Sequence, residues 1–275
     1  MSNKELAISV IISTYNMPEW LEKVLWGYEQ QTYKNFEIII ADDGSGEQTK
    51  KLIDTFKSKS SLNIEHVWHK DNGFQKCKIL NKAITKARFD YILFSDGDCI
   101  PRKDFLAVHA AHAAPGHFLS GGYFKLPMNI SKKITREDIV KEHAFDLKWL
   151  LKNGLKKSIK TLKLTSEGRF EKLLNWITPT NASWNGHNAS GWKADILKVN
   201  GYNEDMAYGG EDRELGERLF NLGIRSKQLR YSAICIHLDH SRGYVDAEVL
   251  KRNLIIRKNT LRTKSTFTKN GIEKH

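Results

Sequence analysis

The sequence predicts an α/β fold whose central sheet is Rossmann-like and mostly parallel and is flanked by helices. Three observations support this prediction. The first hundred residues alternate between strand and helix patterns, their strands are near-continuous apolar runs, and two of those strands end in acidic residues. Such apolar runs are typical of parallel strands covered on both faces, and in open α/β sheets ligands bind at the carboxyl ends of the strands.

Each element of this first half has its own signal. We expect strands at residues 8–13, 36–41, 64–68 and 91–95, and helices at residues 18–30, around residues 52–56 and at residues 79–87. Apolar residues three and four positions apart predict the helices, and parallel strands joined by helices require right-handed crossovers. The chain has neither a GxGxxG motif nor a Walker A lysine loop, so the usual dinucleotide and P-loop fingerprints are missing.

The composition limits the classes of partner. At 275 residues the chain can bury one sizeable core with an insertion. Its formal charge of +12 indicates a polyanionic partner: nucleic acid, anionic lipid or a phosphorylated substrate. The three cysteines are far apart in the sequence and odd in number, which is typical of reduced thiols. No apolar run reaches transmembrane length and no signal-peptide core is present, so we expect a cytoplasmic protein, either free or peripheral on the inner face of the membrane.

The acidic strand ends are the first candidate site. The strand at residues 91–95 runs into Asp96, Gly97 and Asp98. Ionised carboxylates in this position need solvent, a cation or a donor, and two hard oxygen ligands suit Mg²⁺ or Mn²⁺. An Asp-Gly turn between strands is the alternative interpretation. Asp43, after the second strand, suits hydrogen bonds to a ribose or uracil and suits a helix N-cap equally well.

Three segments together resemble the nucleotide-sugar half of family 2 glycosyltransferases, which have the GT-A fold. These segments are residues 11–16 (IISTYN), 41–45 (ADDGS) and 94–98 (FSDGD). The resemblance implies a nucleoside-diphosphate sugar donor, most often UDP-linked, with divalent Mn²⁺ or Mg²⁺ on its diphosphate.

The same resemblance implies roles for single residues of the first half. It places Thr14, Tyr15 and Asp43 at the nucleoside, makes Asp98 a direct metal ligand and puts Asp96 near the ribose or a metal-bound water. The segment 70–81 resembles the family's loop over the donor, where Lys78 would touch the base or a phosphate. A solvated lysine is an equally good interpretation of Lys78.

The second half carries a related pattern. Residues 186–193 form a predicted Gly-, Asn- and aromatic-rich loop, and residues 208–212 (YGGED) precede an amphipathic helix. Acidic residues favour the first turn of a helix in any case, so capping is a serious alternative for Glu211 and Asp212. Two adjacent glycines precede them and favour a ligand site in addition to capping, because glycines let the backbone approach a ligand closely.

The block from Gly186 to Gly223 resembles the region shared by galactosyl- and N-acetylgalactosaminyl-transferases and chondroitin-polymerase-type enzymes. The resemblance implies that Asp212 is the catalytic base. It assigns the acceptor pocket to Tyr208, Gly210, Glu211 and, from the preceding loop, Asn188 and Trp192. Members of that family often have Trp where this chain has Tyr208, so stacking on the acceptor can differ.

Two histidines follow a last predicted strand at residues 232–236. His237 and His240 lie three positions apart, and in a chain that already has a metal motif this spacing favours a ligand over a structural role. Related transferases complete the metal site with a histidine here, and we favour His240 over His237. Arg242 suits a diphosphate, although a solvated arginine is the default interpretation.

A basic segment separates the two halves. Residues 132–172 contain twelve Lys or Arg against six Asp or Glu, interleaved with aromatic residues and leucines. This pattern suits helices that lie on an anionic membrane and equally suits an amphipathic insertion that packs on the sheet. We therefore expect one catalytic domain at 1–245, made of a nucleotide-sugar half (1–128), a basic helical insertion (129–178) and an acceptor and base half (179–245). We also expect a basic tail at 246–275 that begins as a helix and then frays.

These expectations combine into one predicted function. We expect a metal-dependent, inverting glycosyltransferase that moves a hexose or N-acetylhexosamine from UDP to a glycan or lipid-linked glycan in bacterial surface polysaccharide synthesis. A glycoside hydrolase would need two carboxylates but no nucleotide. A nucleic-acid-binding module would explain the charge, yet no such motif is present and we expect no nucleic-acid partner. A non-catalytic carbohydrate-binding protein would not need Asp96, Asp98 and Asp212 together.

Overall fold

A single eight-stranded mixed sheet organises the protein. The computed structural model describes residues 5–241 and 246–275. The strands are β1 (Ile8–Thr14), β2 (Phe36–Asp42), β3 (Ile64–Trp68), β4 (Tyr91–Asp96), β5 (Cys99–Pro101), β6 (His117–Lys125), β7 (Asn188–Trp192) and β8 (Arg225–His237). They lie in the order β3-β2-β1-β4-β7-β6-β8-β5. The pairs β3–β2, β2–β1, β1–β4 and β6–β8 are parallel, and the other three described pairs are antiparallel. The predicted mixed α/β, mostly parallel sheet is therefore confirmed.

Helices cover both faces of this sheet, and apolar clusters fill the space on each side. The helices are α1 (Pro18–Glu29), α2 (Glu47–Lys59), α3 (Lys76–Lys86), α4 (Phe105–His112), α5 (Met128–Lys133), α6 (Arg136–Val140), α7 (Leu147–Lys152), α8 (Leu162–Thr165), α9 (Gly168–Ile177), α10 (Lys193–Lys198), α11 (Glu211–Asn221) and α12 (Ala247–Thr263). The strands β1, β2 and β4 are almost wholly apolar and buried, as sheets covered on both faces require.

The strand register brings the acidic strand ends together. In the parallel pairs β1–β4 and β1–β2, Ser13 is opposite Asp96 and Thr14 is opposite Asp42. Because β1 lies between β2 and β4, the carboxyl ends of all three strands share one edge of the sheet. Asp43 and Asp98 follow directly, so they belong to the same edge.

The prediction of a loop at residues 186–193 is wrong for most of that segment. Residues Asn188–Trp192 form β7, which pairs antiparallel with β4 so that Tyr91 is opposite Trp192 and Ser95 is opposite Asn188. Glycine, asparagine and serine weaken the local strand signal, and pairing with a fully buried neighbour overrides it. The last strand is also longer than predicted, since β8 begins at Arg225.

The middle and end of the chain are helical, as predicted. Residues 128–177 form helices α5–α9 with two short 3₁₀ turns between them. The tail contains α12, but its last residues do not fray. The buried Asn200 side chain donates hydrogen bonds to the carbonyls of Thr268 and Glu273, each 2.8 Å long, and Ile272 packs on the core. Among the described residues, no helix has the length and apolar character that crossing a bilayer requires.

Candidate active site

Asp96, at the end of β4, is held by two donors. The Ser13 hydroxyl donates to its Oδ1 over 2.6 Å, and the Lys76 ammonium, on the first turn of α3, donates to the same oxygen over 2.8 Å. Burial alone would raise the pKa of Asp96, but Lys76 and the other donors outweigh it and hold that pKa well below its usual range. Asp96 is therefore a fixed anion at this edge of the sheet.

Lys76 also faces the second half of the site. Burial would lower the pKa of its ammonium, but the carboxylates of Asp96, Asp212 and Glu211 raise that pKa well above its ordinary value. The lysine is thus a permanent cation between two groups of acids, one on β4 and one on α11. This position makes Lys76 the electrostatic link across the site.

Asp98 lies beside both predicted histidines. Its Oδ2 is 3.1 Å from Nε2 of His240 and 3.8 Å from Nε2 of His237, and the two imidazole rings stack with centroids 5.7 Å apart. Ligand atoms of Asp98, Cys99 and His237 all lie within 4.8 Å of one another. Burial raises the pKa of the Cys99 thiol well above its ordinary value, so a carboxylate and imidazoles are the ligands on offer. That donor set fits Mn²⁺. Arg242 lies outside the described residues.

Asp212 is the second residue of α11 and points back toward Lys76. It accepts a hydrogen bond from the backbone N–H of Gly186 and a 3.3 Å bond from the Tyr202 hydroxyl. Burial, followed by the charge of Glu211, raises the pKa of Asp212 to about 7, although Lys76 opposes this shift. A carboxylate with a pKa near neutrality is suited to taking up a proton at physiological pH.

The loop before α11 is held in a conformation that glycine favours. Gly209 and Gly210 have φ angles of 107° and 95°, a region that residues with a Cβ rarely adopt. Three backbone carbonyls, of Ala207, Tyr208 and Gly209, accept hydrogen bonds of 3.0–3.2 Å from the buried Asn253 side chain of α12. The helix α12 therefore fixes the shape of the predicted acceptor loop.

Glu211 and Tyr208 lie on this same loop. Glu211 is buried and its Oε2 accepts a 2.8 Å hydrogen bond from the Gly209 backbone N–H, which is a local capping contact. The ring of Tyr208 meets the edge of Phe74, with centroids 6.0 Å apart. Tyr208 thereby joins the loop before α11 to the loop that precedes α3.

The predicted nucleoside residues lie at the neighbouring strand ends. Asp43 accepts a 3.0 Å hydrogen bond from the Gln75 backbone, and 2.8 Å separates its Oδ1 from Nε2 of His69. Burial raises its pKa despite these contacts. Thr14 is buried, and its carbonyl accepts from the Asp43 backbone. Tyr15 is half-exposed and donates to Asp71 over 2.8 Å.

Three predicted site residues have surroundings that differ from those their predicted roles require. Asn188 is fully buried and donates to the carbonyls of Gly122 and Ala233. Trp192 lies at the amino end of β4, the end opposite to Asp96, and packs against Tyr91. Lys78 is exposed on α3. Asn188 and Trp192 thus serve the sheet, so their assignment to the acceptor pocket is corrected. The lysine that reaches an acidic strand end is Lys76 and not Lys78.

Lys76 and His187 were not predicted as site residues. The ring of His187 lies 4.7 Å from that of Tyr123 and 6.5 Å from that of His237, measured between centroids. Burial lowers its pKa to about 4, so it is neutral at physiological pH. The signal that could have found Lys76 is the start of α3, three residues earlier than its apolar spacing predicted. His187 has a weaker signal, its position beside Gly186.

Comparisons with known proteins show the family and the fold. The family model described as glycosyl transferase family 2 matches residues 9–158, more than half of the chain, and the model described as the N-terminal domain of galactosyltransferase matches residues 180–241. The fold is that of the GT-A glycosyltransferases. The chain belongs to glycosyl transferase family 2, as its motifs predicted.

Curated relatives are similar over much of this chain. Chondroitin synthase of Escherichia coli is 28% identical over 230 residues, which are 78% of this chain and 32% of that protein. Hyaluronan synthase of Pasteurella multocida is 26% identical over 250 residues, 80% of this chain and 23% of that protein. The chain thus spans a third or less of the length of these relatives. The uncharacterized glycosyltransferase YfnE of Bacillus subtilis is 24% identical, with 90% of this chain and 68% of that protein covered.

Two solved structures share the fold. The mannosyltransferase PcManGT of Pyrobaculum calidifontis, solved with GDP-Man and Mn²⁺, has a TM-score of 0.62 at 18% identity and covers 94% of this chain and 65% of its own. Staphylococcus aureus TarS 1-349, solved with UDP-GlcNAc, also has a TM-score of 0.62, at 16% identity, and covers 94% and 69%. At these identities the likeness concerns the fold.

Proposed function

We propose that this protein is a metal-dependent, inverting glycosyltransferase that moves a sugar from a nucleoside diphosphate to a hydroxyl of a glycan or lipid-linked glycan. The observation that carries the proposal is the pairing, across Lys76, of the fixed anion Asp96 with the near-neutral Asp212. Asp96 suits the side of the site that needs a carboxylate with a permanent charge, and Asp212 suits the side that needs a carboxylate able to gain a proton.

The donor is proposed to be a UDP-hexose or UDP-N-acetylhexosamine. Thr14, Tyr15 and Asp43 would hold the nucleoside at the ends of β1 and β2, and Asp96 would lie toward the ribose. The solved TarS complex contains UDP-GlcNAc and the PcManGT complex contains GDP-Man, which supports a nucleotide sugar as the class of donor.

The metal site is proposed at the turn between β4 and β5. Asp98 with His237 and His240 would hold Mn²⁺ or Mg²⁺, whose chemistry, when bound, is to stabilise negative charge on the leaving diphosphate. The 3.1 Å and 3.8 Å approaches of both imidazoles to Asp98 support this donor set.

The acceptor reacts on the other side of the site. Asp212 takes the proton of the acceptor hydroxyl as that oxygen forms a bond to C1 of the donor sugar, while the bond from C1 to the diphosphate oxygen breaks. One displacement of this kind inverts the anomeric carbon. Tyr208, Gly210 and Glu211 would shape the acceptor pocket.

We also propose the wider setting of this activity. The catalytic domain would be residues 1–245, with halves 1–128 and 179–245 around the helical insertion 129–178, followed by the tail 246–275. Relatives named as chondroitin synthase and as the poly(ribitol-phosphate) N-acetylglucosaminyltransferase TarS support a role in bacterial surface polysaccharide synthesis. A lipid-linked acceptor would bring a cytoplasmic enzyme to the inner face of a membrane.

A thermal-shift screen followed by a transfer assay tests the proposal. UDP-, GDP- and dTDP-sugars are added with and without Mn²⁺, and the sugars that raise the Tm are then assayed with oligosaccharide acceptors. We expect a UDP-sugar to raise the Tm more with Mn²⁺ than without it and to support transfer. If sugars bind equally well without the nucleotide, the protein is a carbohydrate-binding protein instead and the proposal is wrong.

A further inference from the structure

The helix α9 (Gly168–Ile177) turns hydrogen-bonding side chains toward the protein and its largest apolar side chains outward. Toward the sheet it turns Glu171, Leu174 and Asn175, which are all partly buried. Outward it turns Phe170, Leu173, Trp176 and Ile177, whose side chains are 50%, 47%, 83% and 53% exposed. A surface helix of a globular protein normally has the opposite arrangement.

Specific hydrogen bonds fix this orientation. The Asn175 side chain accepts a 2.9 Å bond from the Tyr231 backbone N–H and donates a 2.7 Å bond to the Ser232 hydroxyl. The Ser232 hydroxyl also donates to Glu171. Turning the apolar side inward would break these three contacts with β8 and leave their polar groups to be buried unpaired. The outward apolar face, which we define as Phe170, Leu173, Trp176 and Ile177, is therefore a consequence of the fold.

Four large apolar side chains that adjoin on one exposed helix face indicate a surface that is covered in use. The positive charge of the segment that contains this face indicates what kind of surface would cover it. Residues 156–172 contain six Lys or Arg and two Asp or Glu, and of the basic residues Lys163 is buried and donates to the Tyr123 carbonyl. Of the two acids, Glu171 points inward to Ser232, whereas Arg169 and Lys172 are exposed beside the apolar face.

We propose that the outward apolar face of α9 inserts into the interface of an anionic membrane, with the basic residues around it meeting lipid headgroups. An amphipathic helix that lies on a bilayer combines apolar side chains, often Trp, Phe and Leu, with a basic border. Lys and Arg near the surface of anionic lipids add to the attraction. The site chemistry does not enter this inference, so it can hold or fail independently of the proposed transferase activity.

The helix α12 provides a matched comparison. It is also basic and also exposes apolar side chains, Leu254 at 47% and Ile255 at 68%. Its inward face, however, packs Ile256 on the core, beside Asn253, which holds the loop before α11. A general attraction of basic helices to lipid would involve both helices, whereas specific insertion would involve α9 alone, whose outward face includes the 83% exposed Trp176.

Vesicle flotation of the full chain tests the proposal. Vesicles of phosphatidylcholine alone are compared with vesicles that also contain phosphatidylglycerol. We expect the wild-type protein to float only with the anionic vesicles, and less at high salt, because salt screens the headgroup attraction. The double variant Phe170→Ser/Trp176→Ser should partition roughly tenfold less, while the matched variant Leu254→Ser/Ile255→Ser should float like the wild type.

A label on the helix gives a second readout. The three native cysteines are buried, so a Leu173→Cys variant can be modified selectively with an environment-sensitive dye, and its emission should shift to the blue on anionic vesicles only. Equal flotation on both vesicle types, no flotation of the wild type, or an equal loss in the α12 variant would overturn the proposal. So would a wild-type dimer in solution that the α9 variant converts to a monomer, since a second copy would then cover the face.

Discussion

Asp96 and Asp212 lie on opposite sides of Lys76, and the protein gives these two carboxylates opposite properties. Asp96 ends β4 and has two strong donors, the Ser13 hydroxyl and the Lys76 ammonium. Asp212 lies in the first turn of α11 and has a backbone donor and a longer 3.3 Å contact with Tyr202. The pKa of Asp96 falls below its usual range, while burial and the charge of Glu211 raise the pKa of Asp212 to about 7.

The difference shows that environment, and not residue type, sets the pKa of each acid. A carboxylate that stays ionised can hold a polar ligand or support a nearby cation, whereas one that titrates near neutrality can accept a proton. The two properties require different surroundings, so they are placed on different elements, a strand end and a helix start. The predictions below test this division of roles.

The largest effect is expected for Asp212→Asn. Asparagine keeps the shape of the side chain and can still accept from Gly186, but it cannot take up a proton. We expect kcat to fall by about 10³-fold, within the range that general-base catalysis contributes. Initial rates of transfer measure the loss, and calorimetric titration with the donor nucleotide should give a Kd close to that of the wild type.

Glu211→Gln is the matched control for this variant. Glu211 accepts from the Gly209 backbone N–H, and the glutamine carbonyl can accept the same bond, so this change should cost much less activity than Asp212→Asn. If Asp212→Asn keeps near-normal turnover, or if the two variants lose activity equally, Asp212 is not the base.

A smaller effect, on metal affinity, is expected for Asp98→Asn. Loss of the negative oxygen ligand should weaken Mn²⁺ binding by about 100-fold and leave the proton-accepting side intact. Electron paramagnetic resonance titration with Mn²⁺ measures this, and His237→Ala and His240→Ala rank the two imidazoles. Asp104→Asn is the control, because Asp104 pairs with Arg102. Unchanged Mn²⁺ affinity in Asp98→Asn would remove Asp98 from the metal site.

Most of the sheet could be predicted from sequence because its signals are local. The apolar runs of β1, β2 and β4 mark buried strands, and the acids that follow them mark one edge of the sheet. Asp43, Asp96, Asp98 and the two histidines share one edge of the sheet because each of them ends or closely follows a strand whose carboxyl end lies there. In each case a short pattern contains the information.

The parts of the fold and site that could not be predicted depend on tertiary contacts, which no short sequence pattern indicates. Lys76 reaches Asp96 because α3 begins earlier than its apolar spacing indicates, and two lysines in one segment, Lys76 and Lys78, look alike until the helix is placed. Asn188 and Trp192 were assigned to a loop because β7 is poor in strand formers and is stabilised by its pairing with β4. The inside-out helix α9 has ordinary amphipathic spacing, and only its contacts with β8 reveal which face is outward.

The smallest effect is expected for Lys76→Met, and it concerns the pH profile. If Asp212 must be ionised to accept the proton, kcat/KM rises with pH as Asp212 ionises, with an apparent pKa of about 7. The Lys76 ammonium lowers that pKa, so its removal should move the rising limb to higher pH by roughly one unit. Activity at neutral pH then falls several-fold and part of it returns in alkaline buffer. Lys78→Met, on the exposed face of α3, should leave the limb in place; an equal displacement by both variants would mean that general surface charge, and not the contact across the site, sets the pKa of Asp212.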